Sequence, residues 1–159
     1  MDRREYRIYS DLLSCASFFW RRDYGVSIIK EMTDWREHTE REWELEYDAL
    51  YRGTNADYRM PLWASVFLGD KALLNQTTLE VIQTCHKWGY EPVRMEGNPP
   101  DYIGEQFRFL AYLTAAGIYA SEQGENAVAE EIWEEREAFI LYCTKSLARR
   151  LAQDTNFSV

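Results

Sequence analysis

A run of thirteen uncharged residues, from Phe109 to Ser121, constrains the fold of this chain more than any other feature. Large apolar side chains occur on every side of a helical wheel in this run, which is typical of a helix surrounded by protein or lipid. The run is too short to cross a bilayer, for which roughly 18 residues or more are needed. It therefore predicts a buried central helix. The preceding segment predicts how that helix begins, with Asn98 as the cap, Pro99 or Pro100 in the first turn and Asp101 near the positive end of the dipole.

The rest of the chain also has helical periodicity. Apolar residues spaced i, i+3 and i+4 predict helices over about 2–22, about 26–51 and about 125–153, and Thr33-Asp34 are a candidate site for a kink and a new cap in the second. Asp23 to Gly25 predict the break between the first two, and a Thr77–Glu80 capping box predicts a further helix. No β-branched alternation is present. The pattern therefore predicts an all-α fold, a single-domain bundle of about five to six helices.

Glycines and a short apolar segment predict the connections between these helices. Gly89 predicts the end of the helix that follows the capping box, and Gly124 predicts the turn after the central helix. Met60 to Leu68 predicts an apolar connector that is too short to be a stable helix by itself.

Length and charge narrow the class of protein. A chain of 159 residues is expected to form one domain over residues 1–159. The net charge of -9 argues against nucleic acid as a partner and favours a cationic one. Residues 31–48 hold eight acidic residues and residues 122–137 hold seven. These stretches predict either solvated helix faces or an acidic rim that steers a positively charged peptide.

The side chains that commonly carry chemistry do not form a recognisable set. His38 and His86 lack the spacing of metal ligands, and we expect both to be exposed. Cys85 and His86 are adjacent, so on a helix they point apart and do not form a nucleophile and its base. No glycine-rich phosphate loop and no Gly-x-Ser-x-Gly elbow occurs. We therefore expect no metal, no cofactor and no enzymatic activity.

Cysteine usage and the first residues predict the compartment. Cys15, Cys85 and Cys143 are far apart in apolar helical settings, which predicts buried free thiols in a reducing environment. The Arg3-Arg4 pair is followed by neither an uninterrupted apolar run nor a small-residue cleavage site. We therefore expect a cytoplasmic protein without membrane insertion.

Three stretches carry a resemblance to a known family. They are Tyr47–Gly53, Pro61–Leu68 followed by Thr77–Leu79, and Pro100–Glu105 leading into Phe109–Leu113. Together they resemble the TorD/DmsD family of molybdoenzyme chaperones, also called redox enzyme maturation proteins. The resemblance implies an all-helical chaperone that binds the twin-arginine leader of a molybdopterin oxidoreductase catalytic subunit and delays its export until the cofactor is loaded. A monomer and a domain-swapped dimer are both compatible with it.

The resemblance also implies a peptide site. The Asp-His pair of the family falls on Asp101-Tyr102, and the tyrosine removes a group that would titrate near neutral pH. Physically, a receptor for an arginine pair beside an apolar segment needs an apolar groove and carboxylates that accept guanidinium. Trp63 and Phe109 also fit a core, and Asp101 also fits a helix cap. The predicted peptide-binding set is Tyr47, Leu50, Tyr51, Trp63, Asp101, Tyr102, Glu105 and Phe109.

Two other functions remain open at this point. In the first, the domain contacts the mature body of the client as a cofactor-insertion or assembly factor, which the acidic helices and the lost histidine favour. Alternatively, it is a helical ligand-binding protein or enzyme that has diverged from the family. Complex formation with a client that lacks its leader would support the first function, and a bound small molecule or metal the second.

Overall fold

The computed structural model describes residues 3–32, 39–51, 63–68, 74–93 and 99–154, with backbone alone for 32, 50, 67–68 and 143–154. These described ranges contain seven α-helices and no strand. The helices are α1 (Arg3–Trp20), α2 (Arg22–Met32), α3 (Glu40–Tyr51), α4 (Ala64–Leu68), α5 (Gln76–Lys87), α6 (Ile103–Glu122) and α7 (Asn126–Asp154). The all-α prediction is confirmed. There are more than five to six helices because the predicted region 26–51 contains two helices, α2 and α3, and because α4 forms inside the predicted connector. The candidate kink at Thr33-Asp34 lies outside the described residues.

Helix α6 is the central helix, as the uncharged run predicts. It packs mainly against α1 on one side and α7 on the other. Its residues Phe109 and Leu113 are fully buried, whereas Tyr112 and Tyr119 are exposed, so most but not all of its faces meet neighbouring helices. The main core consists of Ala64, Val81, Cys85, Phe109, Leu110, Leu113, Ala120, Ala129, Ile132 and Phe139.

The break between α1 and α2 lies at Arg21, so the predicted break at Asp23–Gly25 is wrong. Gly25 is helical, although glycine weakens an isolated helix. A Cβ on Gly25 would overlap the ring of Tyr47 and lie 2.8 Å from the Phe18 carbonyl oxygen. The absence of a side chain therefore allows α3 to approach α2 closely. This packing requirement, rather than a turn, explains the glycine.

The helix starts show which polar residues act as caps. Helix α5 is capped by Asn75, whose side chain accepts a hydrogen bond of 2.9 Å from the Thr77 amide. Thr77 is thus inside the helix, and the predicted Thr77–Glu80 capping box is wrong. A capping box occurs instead before α3, where the Thr39 amide donates to Glu42 Oε2 at 2.7 Å and the Glu42 amide donates to Thr39 Oγ1 at 3.4 Å.

Helix α6 begins later than the sequence predicts. Its N-cap is Tyr102, which makes no capping hydrogen bond with its side chain. Pro99 and Pro100 precede the helix, so their predicted place in the first turn is wrong. Asn98, the predicted cap, lies outside the described residues. By contrast, Gly89 and Gly124 follow helix ends with φ of 70° and 78°, as predicted.

The second acidic stretch is mainly a solvated face of α7, since its glutamates are exposed except Glu135, which is half-buried. Its one basic residue, Arg136, points inward, pairs with Glu5 of α1 and stacks on the Trp133 ring with its guanidinium carbon 4.4 Å from the ring centroid. This stretch thus contributes a partly buried ion pair between α7 and α1 as well as surface charge.

The thiols differ from expectation in part. Cys85 is buried and free, as predicted, but Cys15 is exposed. The prediction is wrong for Cys15 because it lies on a different side of α1 from its neighbour Ala16, which is buried. The side chain of Cys143 lies outside the described residues.

Candidate functional site

Asp101 lies directly before α6 and connects it to the short helix α4. Its Oδ2 accepts a hydrogen bond of 2.6 Å from the Ser65 amide, and its carbonyl oxygen accepts one of 3.0 Å from the Ala64 amide. Gln106 donates to the same carbonyl at 2.7 Å. Asp101 therefore satisfies the first amides of α4 rather than capping its own helix. Its side chain is fully buried, and Oδ1 has no hydrogen-bond partner in the described part of the chain.

Tyr102 joins the ends of two other helices to this junction. Its hydroxyl lies 3.0 Å from the carbonyl oxygen of Tyr51, the last residue of α3, and 3.2 Å from that of Phe19 near the end of α1. Its backbone forms an isolated antiparallel bridge with Trp63, and the two rings have centroids 5.2 Å apart. The single hydroxyl proton is thus shared between two carbonyl oxygens that helix ends leave without a partner inside the helix.

Glu105 lies in the first turn of α6 and has a buried carboxylate that accepts hydrogen bonds from three donors. Its Oε1 accepts from the Tyr90 hydroxyl at 2.6 Å and the Val93 amide at 2.9 Å, and its Oε2 from Arg108 at 3.2 Å. Burial, followed by the hydrogen bond to Glu105, raises the pKa of Tyr90. Burial, with a smaller effect of the Glu105 charge, also raises the pKa of Cys85 to about 12. The two hydrogen bonds to Glu105 Oε1 hold residues 90–93 against α6.

The remaining predicted residues divide between two clusters. Tyr47 is fully buried and donates to the Phe18 carbonyl oxygen, while its ring lies 5.2 Å from that of half-buried Tyr51. Phe109 is in the main core, with its ring centroid 5.0 Å from that of Phe139. Leu50 belongs to α3, but its side chain lies outside the described residues.

The structure therefore brings together Tyr51, Trp63, Asp101 and Tyr102 and places Phe109 in a different cluster. Among the described members of the set, all except Tyr51 are at most 2% exposed. They form packed interior instead of the lining of an open groove. Contact between a peptide and these side chains thus requires neighbouring groups to move, and their role in binding stays a prediction.

Open surface occurs beside this cluster, around Trp20. A cleft of about 270 Å³ is lined by Leu13, Ala16, Ser17, Trp20, Arg21 and Arg108. A second, of about 470 Å³, is lined by Trp20, Arg21, Arg22, Asp23, Val26, Glu40 and Glu44. Neither Trp20 nor Arg108 is among the site residues that the sequence predicts. The available signals were a tryptophan at the end of the first amphipathic helix and the last charge before the uncharged run.

Metal ligands and membrane-spanning helices can both be looked for among the described residues. These residues contain no group of three or more histidine, cysteine, aspartate or glutamate side chains placed to hold a metal ion. His86 is exposed, as predicted, and its Nε2 lies 3.0 Å from Glu91 Oε2. His38 lies outside the described residues. In the same part of the chain, no helix has the length and apolar character needed to span a bilayer.

Comparison with known proteins identifies the family. Residues 22–151, most of the chain, match the family model described as nitrate reductase delta subunit. Searches among curated proteins and among solved structures found no significant match. The matched family consists of TorD-like maturation chaperones for redox enzymes, which confirms the resemblance for this wider class. The helical fold and the match over residues 22–151 together show that the chain belongs to the nitrate reductase delta subunit family.

Proposed function

We propose that this protein is a cytoplasmic chaperone that binds the twin-arginine leader of a molybdopterin oxidoreductase and retains the enzyme until its cofactor is loaded. Family membership carries the proposal, because the family consists of maturation factors for molybdoenzymes rather than catalysts. The partner is then the catalytic subunit of such an enzyme, of which nitrate reductase is the example that the family description suggests. Binding alone, without any covalent step, is sufficient for this role.

The chemistry near the start of α6 supports a cationic ligand. Asp101 Oδ1 and the neighbouring Ser65 hydroxyl are both buried, and neither has a hydrogen-bond partner among the described residues. A buried acceptor without a donor costs about 1–3 kcal/mol. An arginine of the leader would provide donors for this carboxylate and remove that cost. The net charge of -9 would attract the same basic segment over longer distances.

Titration calorimetry with a synthetic twin-arginine leader tests the proposal. We expect a Kd of about 1 µM or tighter, equivalent to about -8 kcal/mol, that weakens as salt increases. Asp101→Asn should weaken binding by about tenfold because it removes the charge and keeps the shape. Glu130→Gln, an exposed change on α7, is the matched control and should leave binding unchanged.

The result that contradicts leader binding is equally specific. A leader whose two arginines are replaced by lysine should bind at least tenfold more weakly, since lysine lacks the bidentate fork. Equal affinity for both peptides would show that the arginine pair is not recognised. No measurable binding to the leader of any molybdoenzyme would reject the proposal.

A second candidate function is binding to the mature body of the client. The burial of Asp101, Tyr102 and Glu105 favours it, because a site on the exposed surface would need no opening. The exposed acidic face of α7 is available for such a contact. A client without its leader should co-purify with the protein if this candidate is correct, and should not if leader binding accounts for the complex.

A further inference from the structure

Arg108 is an arginine already bound to the kind of site that a leader arginine would need. Its Nη1 lies 3.2 Å from Glu105 Oε2, and its guanidinium carbon lies 5.4 Å from the centroid of the Trp20 ring. Guanidinium binds well both to a carboxylate and to an aromatic face. The Glu105 side chain is 1% exposed, whereas that of Arg108 is 40% exposed. Arg108 therefore covers a buried carboxylate from the solvent side.

The cleft of about 270 Å³ reaches Arg108 and Trp20, which both line it, whereas Glu105 is not part of its lining and is covered by Arg108. Leu13 and Ala16 provide an apolar wall, which suits the aliphatic part of an arginine or an apolar neighbour in a leader. Arg21 also lines the cleft, but Asp23 Oδ2 lies 2.8 Å from its Nη2 and offsets its charge. The cleft thus combines apolar surface with one ion pair that a partner can replace.

We infer that a leader arginine binds in this cleft by exchange, with its guanidinium replacing that of Arg108 on Glu105 and Trp20. That the incoming arginine belongs to a leader rests on the proposed function. Exchange is favourable compared with simple removal of Arg108, because a buried carboxylate without a cation is strongly destabilised. Tyr90 and Val93 keep their hydrogen bonds to Oε1 throughout, so the carboxylate stays in place. The displaced Arg108 side chain moves into water, where its charge is well hydrated.

Arg108→Ala tests the exchange because it removes the internal competitor. Measured by fluorescence anisotropy with a labelled twin-arginine leader, binding to Arg108→Ala should be about tenfold tighter than to the unaltered protein. Arg41→Ala is the matched control, since Arg41 also forms an ion pair within its own helix, with Glu44 at 3.2 Å, and lies outside the cleft of about 270 Å³. The control should leave affinity unchanged. Equal or weaker binding to Arg108→Ala would overturn the exchange while leaving leader binding intact.

A second measurement requires no leader and separates the two proposals. N-acetyl-arginine amide should raise the thermal midpoint of Arg108→Ala, because a ligand that binds only the folded state stabilises it. N-acetyl-lysine amide should do so less, and neither should stabilise Arg41→Ala beyond the unaltered protein. Stabilisation by the arginine probe without leader binding would support the exchange site and reject the proposed function. Absence of stabilisation would overturn the site.

Arg108→Lys covers the case in which the alanine variant does not fold. Lysine keeps a cation near Glu105 but lacks the planar fork and stacks less well on indole, so it competes less strongly than arginine. Leader binding to this variant should be about threefold tighter than to the unaltered protein. Unchanged affinity in Arg108→Lys would count against the exchange.

Discussion

Replacing Tyr102 with phenylalanine is the sharpest test of how the helices are joined at the candidate site. The change removes one hydroxyl and leaves the ring, so its packing against Trp63 at 5.2 Å is retained. The hydroxyl lies within hydrogen-bond distance of the Tyr51 and Phe19 carbonyl oxygens, at 3.0 and 3.2 Å, and Tyr102 is only 2% exposed. Water therefore cannot easily replace it. Loss of a buried hydrogen bond that leaves an acceptor unpaired costs about 1–3 kcal/mol, and we expect about 2 kcal/mol here.

Urea unfolding followed by tryptophan fluorescence measures this cost. The midpoint should fall while the m-value stays constant, since the surface exposed on unfolding is the same. In a thermal scan, about 2 kcal/mol corresponds to about 4–8 °C for a domain of this size. Tyr112→Phe is the matched control, because the Tyr112 hydroxyl donates to the Trp88 carbonyl oxygen at 2.9 Å on the exposed surface. The control should cost less than about 0.5 kcal/mol. An equal loss of stability in both variants would refute the conclusion that the Tyr102 hydroxyl joins the ends of α1 and α3.

Three further outcomes follow from the core and from the buried titrating groups. Phe109→Ala should lower the free energy of unfolding by about 3–5 kcal/mol, measured by urea titration, because it leaves a cavity in the main core; a loss below about 1 kcal/mol would contradict this. Iodoacetamide at pH 8 should modify exposed Cys15 well before Cys85, as followed by mass spectrometry, because burial raises the pKa of Cys85 to about 12; similar rates would reject it. The pKa of Tyr90 is higher in the folded protein than its unfolded value of 10.0, so the folded state favours the protonated hydroxyl. The contribution of Tyr90 to stability is therefore fully present below pH 10.0 and is lost as pH rises through the folded pKa. The free energy of unfolding of Tyr90→Phe should therefore depend less on pH above about 10 than that of the unaltered protein. An unchanged dependence would contradict this role of Tyr90.

The sequence by itself determined the helical class and the centre of the bundle. Helical periodicity and the absence of charge from Phe109 to Ser121 are properties of neighbouring residues, and they predicted the central position of α6 correctly, although Tyr112 and Tyr119 are exposed. Gly89 and Gly124 were predicted correctly for the same reason, since a left-handed turn after a helix depends on one residue and its neighbours. These local signals do not depend on which helices later pack together.

Only the tertiary structure decided how polar groups and close contacts are used. Gly25 resembles a helix breaker in isolation, yet it lies inside α2. The Tyr47 ring occupies the space that a side chain at position 25 would need. Asp101 fits its own helix by sequence, yet its carboxylate binds Ser65, which is 36 positions away. Glu105 and Arg108 are neighbours on α6, but the burial of one and the exposure of the other follow from the positions of α1 and residues 90–93. Pairings over such separations depend on the whole arrangement of helices, whereas propensity and spacing act over one or two turns.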